Sequence, residues 1–255
     1  STGSESGSDG EDDDRQDIRT STDPDIVIVL EPTKNNPWLV KFYADPARYG
    51  TVMQAWMLWH RFRTYVLALR EAAAAGKVVV LDRCFMTGDR VFVEWNHECG
   101  SISDKDYERF SDLREMGCVK LPLPQRVVYL DVDVDVIVER VRSRNRSCEQ
   151  GIPREYLAGI EAWYKRIEAE HAERGFTWHH EEWAGFAEDR GGSRKVLLEH
   201  IRDAPRLDSD AVLAVVGDKV EMGRRADAMH AFYAETVARI GEELPQETVE
   251  ELALW

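Results

Sequence analysis

The stretch GKVVVLDRC, residues 76–84, decides how the chain is read. A glycine closes the helical pattern before it, an apolar run follows, and Asp82 and Arg83 stand directly after the run. The run does not alternate polar with apolar residues, so it suits a strand buried on both faces, as in a parallel sheet covered by helices. Three similar runs occur at 26–30 (IVIVL), 127–130 (VVYL) and 212–216 (VLAVV). Helical patterns lie between them. Residues 51–75 place Met53, Trp56, Met57, Trp59 and Phe62 among polar residues and end at Gly76, a suitable C-cap. Residues 103–116, with Ser101 or Ser103 as N-cap, and 134–144, 153–174 and 224–242 read as further helices. Alternating strands and helices indicate a doubly wound α/β fold.

The 255 residues carry a formal charge of −15, and 43% are hydrophobic, enough for a packed core. Residues 1–25 hold a net −7 and one large apolar side chain, Ile18. That segment buries too little to offset its ordering entropy and reads as an acidic, disordered leader before a folded domain over 26–255. An acidic chain without a long basic run is not expected to bind a nucleic acid polymer. No apolar stretch approaches the length of a membrane span, and no secretory signal is evident. Cys84, Cys99, Cys118 and Cys148 are widely spaced and match no zinc pattern, which suits reduced thiols in an intracellular protein. Residues 175–208 are polar, with Trp178, His179, His180, Trp183 and Phe186 clustered. They read as a surface insertion, since the paired histidines lack a spaced third ligand.

In open parallel sheets a ligand sits beyond the carboxyl ends of the strands. The residues after the four runs are Glu31-Pro32, Asp82-Arg83, Asp131 and Gly217-Asp218. Any one carboxylate there fits a helix cap or turn; several at one edge favour a charged cleft. A carboxylate beside a fixed cation stays ionised and accepts a hydroxyl proton, while the arginine balances phosphate charge. Arg140, Arg142, Arg144 and Arg146 form the one concentrated positive site in an acidic body, and guanidinium forks match phosphate oxygens. Together these features indicate phosphoryl transfer onto a hydroxyl.

With these residues in view, the chain resembles the deoxynucleoside kinase family over about residues 26–157. The motifs are Glu31-Pro32 after a strand; Phe42-Tyr43-x-x-Pro46-x-Arg48 leading to Met53-Gln54 and Arg61; Asp82-Arg83-Cys84 with Val91-Phe92 downstream; and Arg142-x-Arg144-x-Arg146 before Glu149-Gln150-Gly151-Ile152-Pro153-x-Glu155-Tyr156-Leu157. The resemblance implies Asp82 as general base on the 5′-hydroxyl of a deoxyribonucleoside. Glu31 would lie near that hydroxyl and the metal-bound phosphates, and Arg83 near the transferring phosphate. Tyr43 and Glu155 would hold the sugar 3′-hydroxyl. Gln54 would contact the base edge, with Arg61 one helical stretch further on. Phe92 would stack on the base and Trp38 would close the pocket wall, although both also suit ordinary core aromatics. Arg142, Arg144 and Arg146 would belong to a lid, about 140–152, closing over ATP. ATP and Mg2+ are the implied cofactors, a homodimer the implied assembly, and the cytoplasm or mitochondrial matrix the implied compartment.

Two departures stand out. The family often has an aspartate six residues after its catalytic acid, where this chain has Gly88 followed by Asp89. The family also opens with a central strand and a glycine-rich phosphate loop, and no G-x-x-x-x-G-K-[ST] pattern occurs in these 255 residues. The expected fold is therefore a P-loop-kinase-like parallel sheet flanked by helices, with its first, central strand and P-loop missing from this chain. Three arrangements account for this: residues outside the given sequence, a second chain that completes the sheet, or strands that have closed up in a non-catalytic relative. Functionally, a deoxynucleoside kinase stands first. A non-catalytic subunit similar to the kinase-like accessory subunit of mitochondrial complex I stands second. A nucleotide kinase of the thymidylate type stands third.

Overall fold

A computed structural model describes residues 18–20, 25–31, 33, 36–86, 88–146, 149, 151–173, 177–183, 190–206 and 208–245. Most of the expected leader (1–17 and 21–24), Pro32, Cys148, Gln150 and Phe186 lie outside the described residues. The chain runs β1 (Ile18–Thr20), β2 (Ile26–Val29), α1 (Leu39–Ala44), α2 (Pro46–Ala75), β3 (Val78–Leu81), α3 (Gly88–Glu98) and α4 (Asp104–Cys118). It continues with β4 (Val127–Asp131), α5 (Val134–Arg144), α6 (Arg154–Glu173), β5 (Trp178–Glu182), α7 (Arg190–Arg202), α8 (Ser209–Val216) and α9 (Lys219–Arg239). The result is an α/β fold of parallel strands flanked by helices.

Helix α2 organises the core. Asp45 caps it by accepting from the Arg48 N–H at 3.1 Å, and Pro46 fills the first turn, where no amide donor is needed. Gly76 ends it at φ 66°, a left-handed geometry that glycine adopts without strain. Most of α2 is buried, including Gln54, His60, Arg61 and Arg63. Trp59 stacks on Tyr233 of α9 with centroids 6.0 Å apart, and Phe62 meets Phe85 edge-to-face at 5.5 Å. Ala68 and Ala72, both fully buried, let the helix approach Val27 and Val29 of β2 closely.

The described strands form two sheets rather than one. β1 lies antiparallel on β2, and β2 pairs in parallel with β3, from Ile26 opposite Val78 to Val29 opposite Leu81. β4 pairs in parallel with β5, from Val127 opposite Trp178 to Asp131 opposite Glu182. Among the described residues, β3 and β4 do not pair with each other.

Two expectations are corrected here. The run 212–216 is not a strand; it forms most of α8. Asp208 caps that helix through the Ala211 N–H at 3.1 Å, and the i, i+4 pair Val212 and Val216 is buried on one face. A short apolar run fits a buried helix as well as a strand, and here the cap decides. Asp218 therefore does not end a strand; its carboxylate accepts from the Glu221 N–H at 3.0 Å and caps α9. The parallel partner of β4 comes instead from WHHEE, inside the stretch read as a surface insertion. Its polar side chains find partners: His180 lies 2.6 Å from Glu168, and Glu181 lies 2.7 Å from His200 on α7. Ladder hydrogen bonds and these side-chain hydrogen bonds hold a strand with no apolar run to advertise it.

Candidate active site

The parallel register of β2 and β3 brings their carboxyl ends side by side. The Asp82 N–H donates to the Val29 carbonyl at 2.8 Å, so Glu31 and Asp82 emerge at the same edge. Arg83 then takes φ 65°, the left-handed region that side chains other than glycine rarely adopt. Such strain costs about 1–3 kcal/mol and persists where the surroundings over-determine it. Here it accompanies a turn of the guanidinium back onto Glu31, with Nη1 2.5 Å from Oε2. Arg61, buried in the core helix α2 with its side chain only 5% exposed, donates to the other oxygen, Oε1. Phe92 of α3 lies beneath both cations, with guanidinium carbons 5.9 Å (Arg61) and 5.0 Å (Arg83) from its centroid. Gly88 opens α3 against the same pair: a Cβ there would sit 3.1 Å from Arg83 Cβ and 3.8 Å from Arg61 Nη1.

The two carboxylates are driven apart in acidity. Burial alone would raise the Glu31 pKa, but Arg83 and Arg61 overcome it and hold the carboxyl at about 2. At Asp82, lost hydration raises the pKa, aided by Glu31 and opposed by Arg83 and Arg61. Among the described residues the Asp82 carboxylate takes no hydrogen bond or ion pair. One carboxylate is thus locked as a structural anion and the other left free to exchange a proton, the pattern that separates acid–base roles.

Residues 19–192 match the model of the family described as deoxynucleoside kinase. The chain belongs to the deoxynucleoside kinase family. It is 34% identical over 161 residues to a deoxyguanosine kinase of Dictyostelium discoideum, covering 63% of this chain and 56% of the relative. It is 34% identical over 131 residues to the mitochondrial NADH dehydrogenase (ubiquinone) 1 alpha subcomplex subunit 10 of Bos taurus, covering 50% of this chain and 38% of that protein. The chain thus spans about half the length, or less, of these curated relatives. A deoxyadenosine kinase of M. mycoides with bound dCTP shares the fold at TM-score 0.56 and 22% identity, over 68% of this chain and 86% of that one.

In this member of the family the other expected site residues are distributed unevenly. Gln54 is 2% exposed on α2, and its Oε1 has no hydrogen-bond partner among the described residues, a costly state for a buried carbonyl. Tyr43 packs on Phe42 with centroids 5.2 Å apart, and Phe42 lies 6.3 Å from Tyr156, the neighbour of Glu155. Glu155 itself is exposed in the first turn of α6. Trp38 is 2% exposed in the core, where its Nε1–H donates to the Tyr233 hydroxyl at 3.0 Å. Arg144 and Arg146 both close on Glu149, at 2.5 Å and 3.1 Å, while Arg142 makes no ion pair among the described residues. Arg140 instead donates to the Trp183 carbonyl, tying α5 to the end of β5.

Two residues join the site without a sequence signal. Tyr164 of α6 lies near Arg83 and Glu31, and burial raises its pKa. Asn96 of α3 donates to the Phe92 carbonyl at 2.7 Å and lies 3.4 Å from the Tyr156 hydroxyl, linking the base-stacking candidate to α6. Only the i, i+4 spacing of Tyr156, Ile160 and Tyr164 marks the inner face of α6 in the sequence.

The lid arginines fit a polyphosphate: two of the three cations share one carboxylate and Arg142 pairs with none among the described residues, leaving net positive charge for phosphate oxygens. A directly coordinated metal fits less well. Both Glu31 oxygens are taken by guanidiniums, and no group of three or more His, Cys, Asp or Glu side chains able to hold a metal exists among the described residues. No helix among the described residues is long and apolar enough to cross a membrane.

Proposed function

We propose that this chain supplies the acceptor side of an ATP-dependent deoxynucleoside kinase. The observation that carries this reading is the free, pKa-raised Asp82 beside a Glu31 held ionised by two arginines. Asp82 accepts the 5′-hydroxyl proton as the new O–P bond forms. Arg83 balances charge on the transferring group, and Glu31 fixes Arg83 and Arg61 in place. Gln54 reads the base edge, Phe92 stacks on it, and Tyr43 and Glu155 hold the sugar. Arg142, Arg144 and Arg146 close over ATP, which supplies the phosphoryl group and leaves as ADP; magnesium arrives on its phosphates rather than on a preformed protein site. The test is incubation of the protein with ATP, Mg2+ and each of the four deoxynucleosides. A 5′-monophosphate formed by the wild type, and not by Asp82→Asn, supports the reading.

A second reading is a non-catalytic subunit of a larger assembly. It is favoured by the bovine relative, whose 34% identity equals that of the deoxyguanosine kinase. Absence of turnover with all four nucleosides, together with co-purification in a respiratory complex, would favour it over the kinase.

Two site predictions follow from side chains already described. Gln54→Leu removes an unpartnered buried carbonyl, so thermal stability without nucleoside is expected to hold or rise slightly. Nucleoside binding measured by calorimetry should weaken by about tenfold or more, since a two-pronged amide contact is lost. Glu149→Ala releases Arg144 and Arg146 from their shared anchor. The KM for ATP is expected to rise by roughly three- to tenfold with a smaller change in KM for nucleoside, because only the lid loses its ordering.

A further inference from the structure

The four cysteines are far apart in the sequence, but the fold brings two of them to one place. Cys84 directly follows Asp82 and Arg83 and shares the wall of a small cleft with Glu31, Arg61 and both of these residues. It is 6% exposed and belongs to the core. Cys118, the last residue of α4, is half-buried and packs against the same core cluster. Both are reduced thiols. Their chain neighbours are in contact: a Cβ at Gly117 would lie 3.1 Å from Phe85 Cε2. Tyr65 of α2 bridges the pair. Its ring centroid is 5.5 Å from that of Phe85, and its hydroxyl donates to the carbonyl of Pro122, just past Cys118. Burial raises the pKa of that hydroxyl, and Cys84 and Cys118 both add to the rise, so both sulfurs lie near it.

The two thiols differ in access and in how firmly they are held. Arg225 of α9 donates to the Gly117 and Val119 carbonyls at 3.3 Å and 2.7 Å, which fixes the chain on either side of Cys118. Cys84 sits in the turn after β3, between Arg83 at φ 65° and Gly88, whose N–H donates to the Cys84 carbonyl at 2.9 Å. A part-exposed thiol next to a buried one suits an attacking and a resolving cysteine.

We propose that Cys84 and Cys118 form a reversible disulfide in exchange with a low-molecular-weight disulfide of the glutathione class. The Cys118 thiolate attacks one sulfur of the small disulfide, forms a mixed disulfide and expels a thiolate. The Cys84 thiolate then attacks the Cys118 sulfur, closes the Cys84–Cys118 bond and expels the second thiolate. The two protons given up by the cysteines go to the two leaving thiolates. Two protein thiols are oxidised and one small disulfide is reduced to two thiols. Bridged cysteines hold their Cα atoms about 4.4–6.8 Å apart, so the bond fastens the turn that carries Asp82 and Arg83 to the end of α4. Its effect on turnover rests on the kinase reading; the bond itself does not.

The test incubates the full chain at increasing ratios of oxidised to reduced glutathione, traps remaining thiols by alkylation and maps the peptides by mass spectrometry. A Cys84–Cys118 cross-linked peptide is expected, lost again with dithiothreitol. Cys84→Ser is expected to stop at a glutathione adduct on Cys118, which identifies the attacking sulfur. Alkylation of both thiols at the most oxidising ratio, or a bond that maps to Cys99 or Cys148 instead, would overturn the site. Phosphorylation of deoxynucleosides by the wild type should fall by about tenfold or more on oxidation and recover with dithiothreitol, since displacing a positioned group by about an ångström costs at least that much. Cys118→Ser should keep its rate under the same oxidant. A mapped bond with an unchanged rate would overturn its hold on the reaction. Absence of turnover in the reduced protein would count against the kinase reading and leave the mapped bond standing.

Discussion

Asp82→Asn is expected to lower kcat for 5′-phosphorylation by about 10²–10⁴-fold, the range by which a positioned base accelerates proton transfer. The KM for the nucleoside should change little, because the amide is isosteric and Asp82 makes no hydrogen bond or ion pair among the described residues whose loss would disturb the pocket. The pH profile separates this role from a structural one. Partial desolvation raises the Asp82 pKa, with Glu31 adding to the shift and the two arginines opposing it. The base works only when deprotonated, so the wild-type rate should fall as pH drops through that raised pKa. The residual rate of the asparagine variant should lack this acid limb. An equal loss of rate at every pH, with the limb retained, would assign the proton to another group. Asp82→Glu offers a further check: it keeps the carboxylate but moves it by one methylene, so partial activity with a preserved limb is expected.

The edge that carries the candidate site was legible in the sequence because parallel register converts position along the chain into position in space. Once 26–30 and 78–81 are strands, the residue after each run must reach the same edge, and Glu31, Asp82 and Arg83 do so. What the sequence did not reveal was the pairing among them. Arg61 lies on the core helix, thirty residues from Glu31, and nothing in its local pattern shows that it salts the same carboxylate. The fourth sheet position was misplaced for a related reason. VLAVV satisfies a strand template but begins one turn after a good helix cap, whereas WHHEE satisfies no strand template and is held by partners distant in sequence. Local pattern carries information about burial, not about which segment provides a ladder partner. Gly88 belongs to the same class. Its position relative to Asp82 marks a departure from the family, but only the structure shows that its missing side chain leaves both arginines directed at Glu31.

Glu31→Gln is expected to destabilise the fold by about 3 kcal/mol near neutral pH, in line with removal of one partner from a buried pair. The same figure follows from linkage. The Glu31 carboxyl moves from an ordinary 4.5 to about 2 on folding, against its own burial and because of Arg83 and Arg61. At about 1.4 kcal/mol per pKa unit this amounts to roughly 3 kcal/mol. Because the folded pKa is depressed, the contribution is fully present above about 4.5 and disappears as pH falls toward about 2. Wild type and variant should therefore differ by roughly 6–12 °C in Tm at pH 7, converge to less than half that gap by about pH 3, and nearly coincide at about pH 2. A gap that persists at acid pH would locate the loss in packing rather than charge. The double variant Glu31→Gln/Arg61→Met sharpens the point, since it removes the buried cation together with its counter-ion. An apolar side chain of similar length in the interior of α2 is expected to recover most of the lost stability, because a well-packed replacement for a buried ion pair is often neutral. It should recover none of the activity. Stability returning without turnover would show that the Glu31–Arg61–Arg83 cluster is retained for the reaction rather than for the fold.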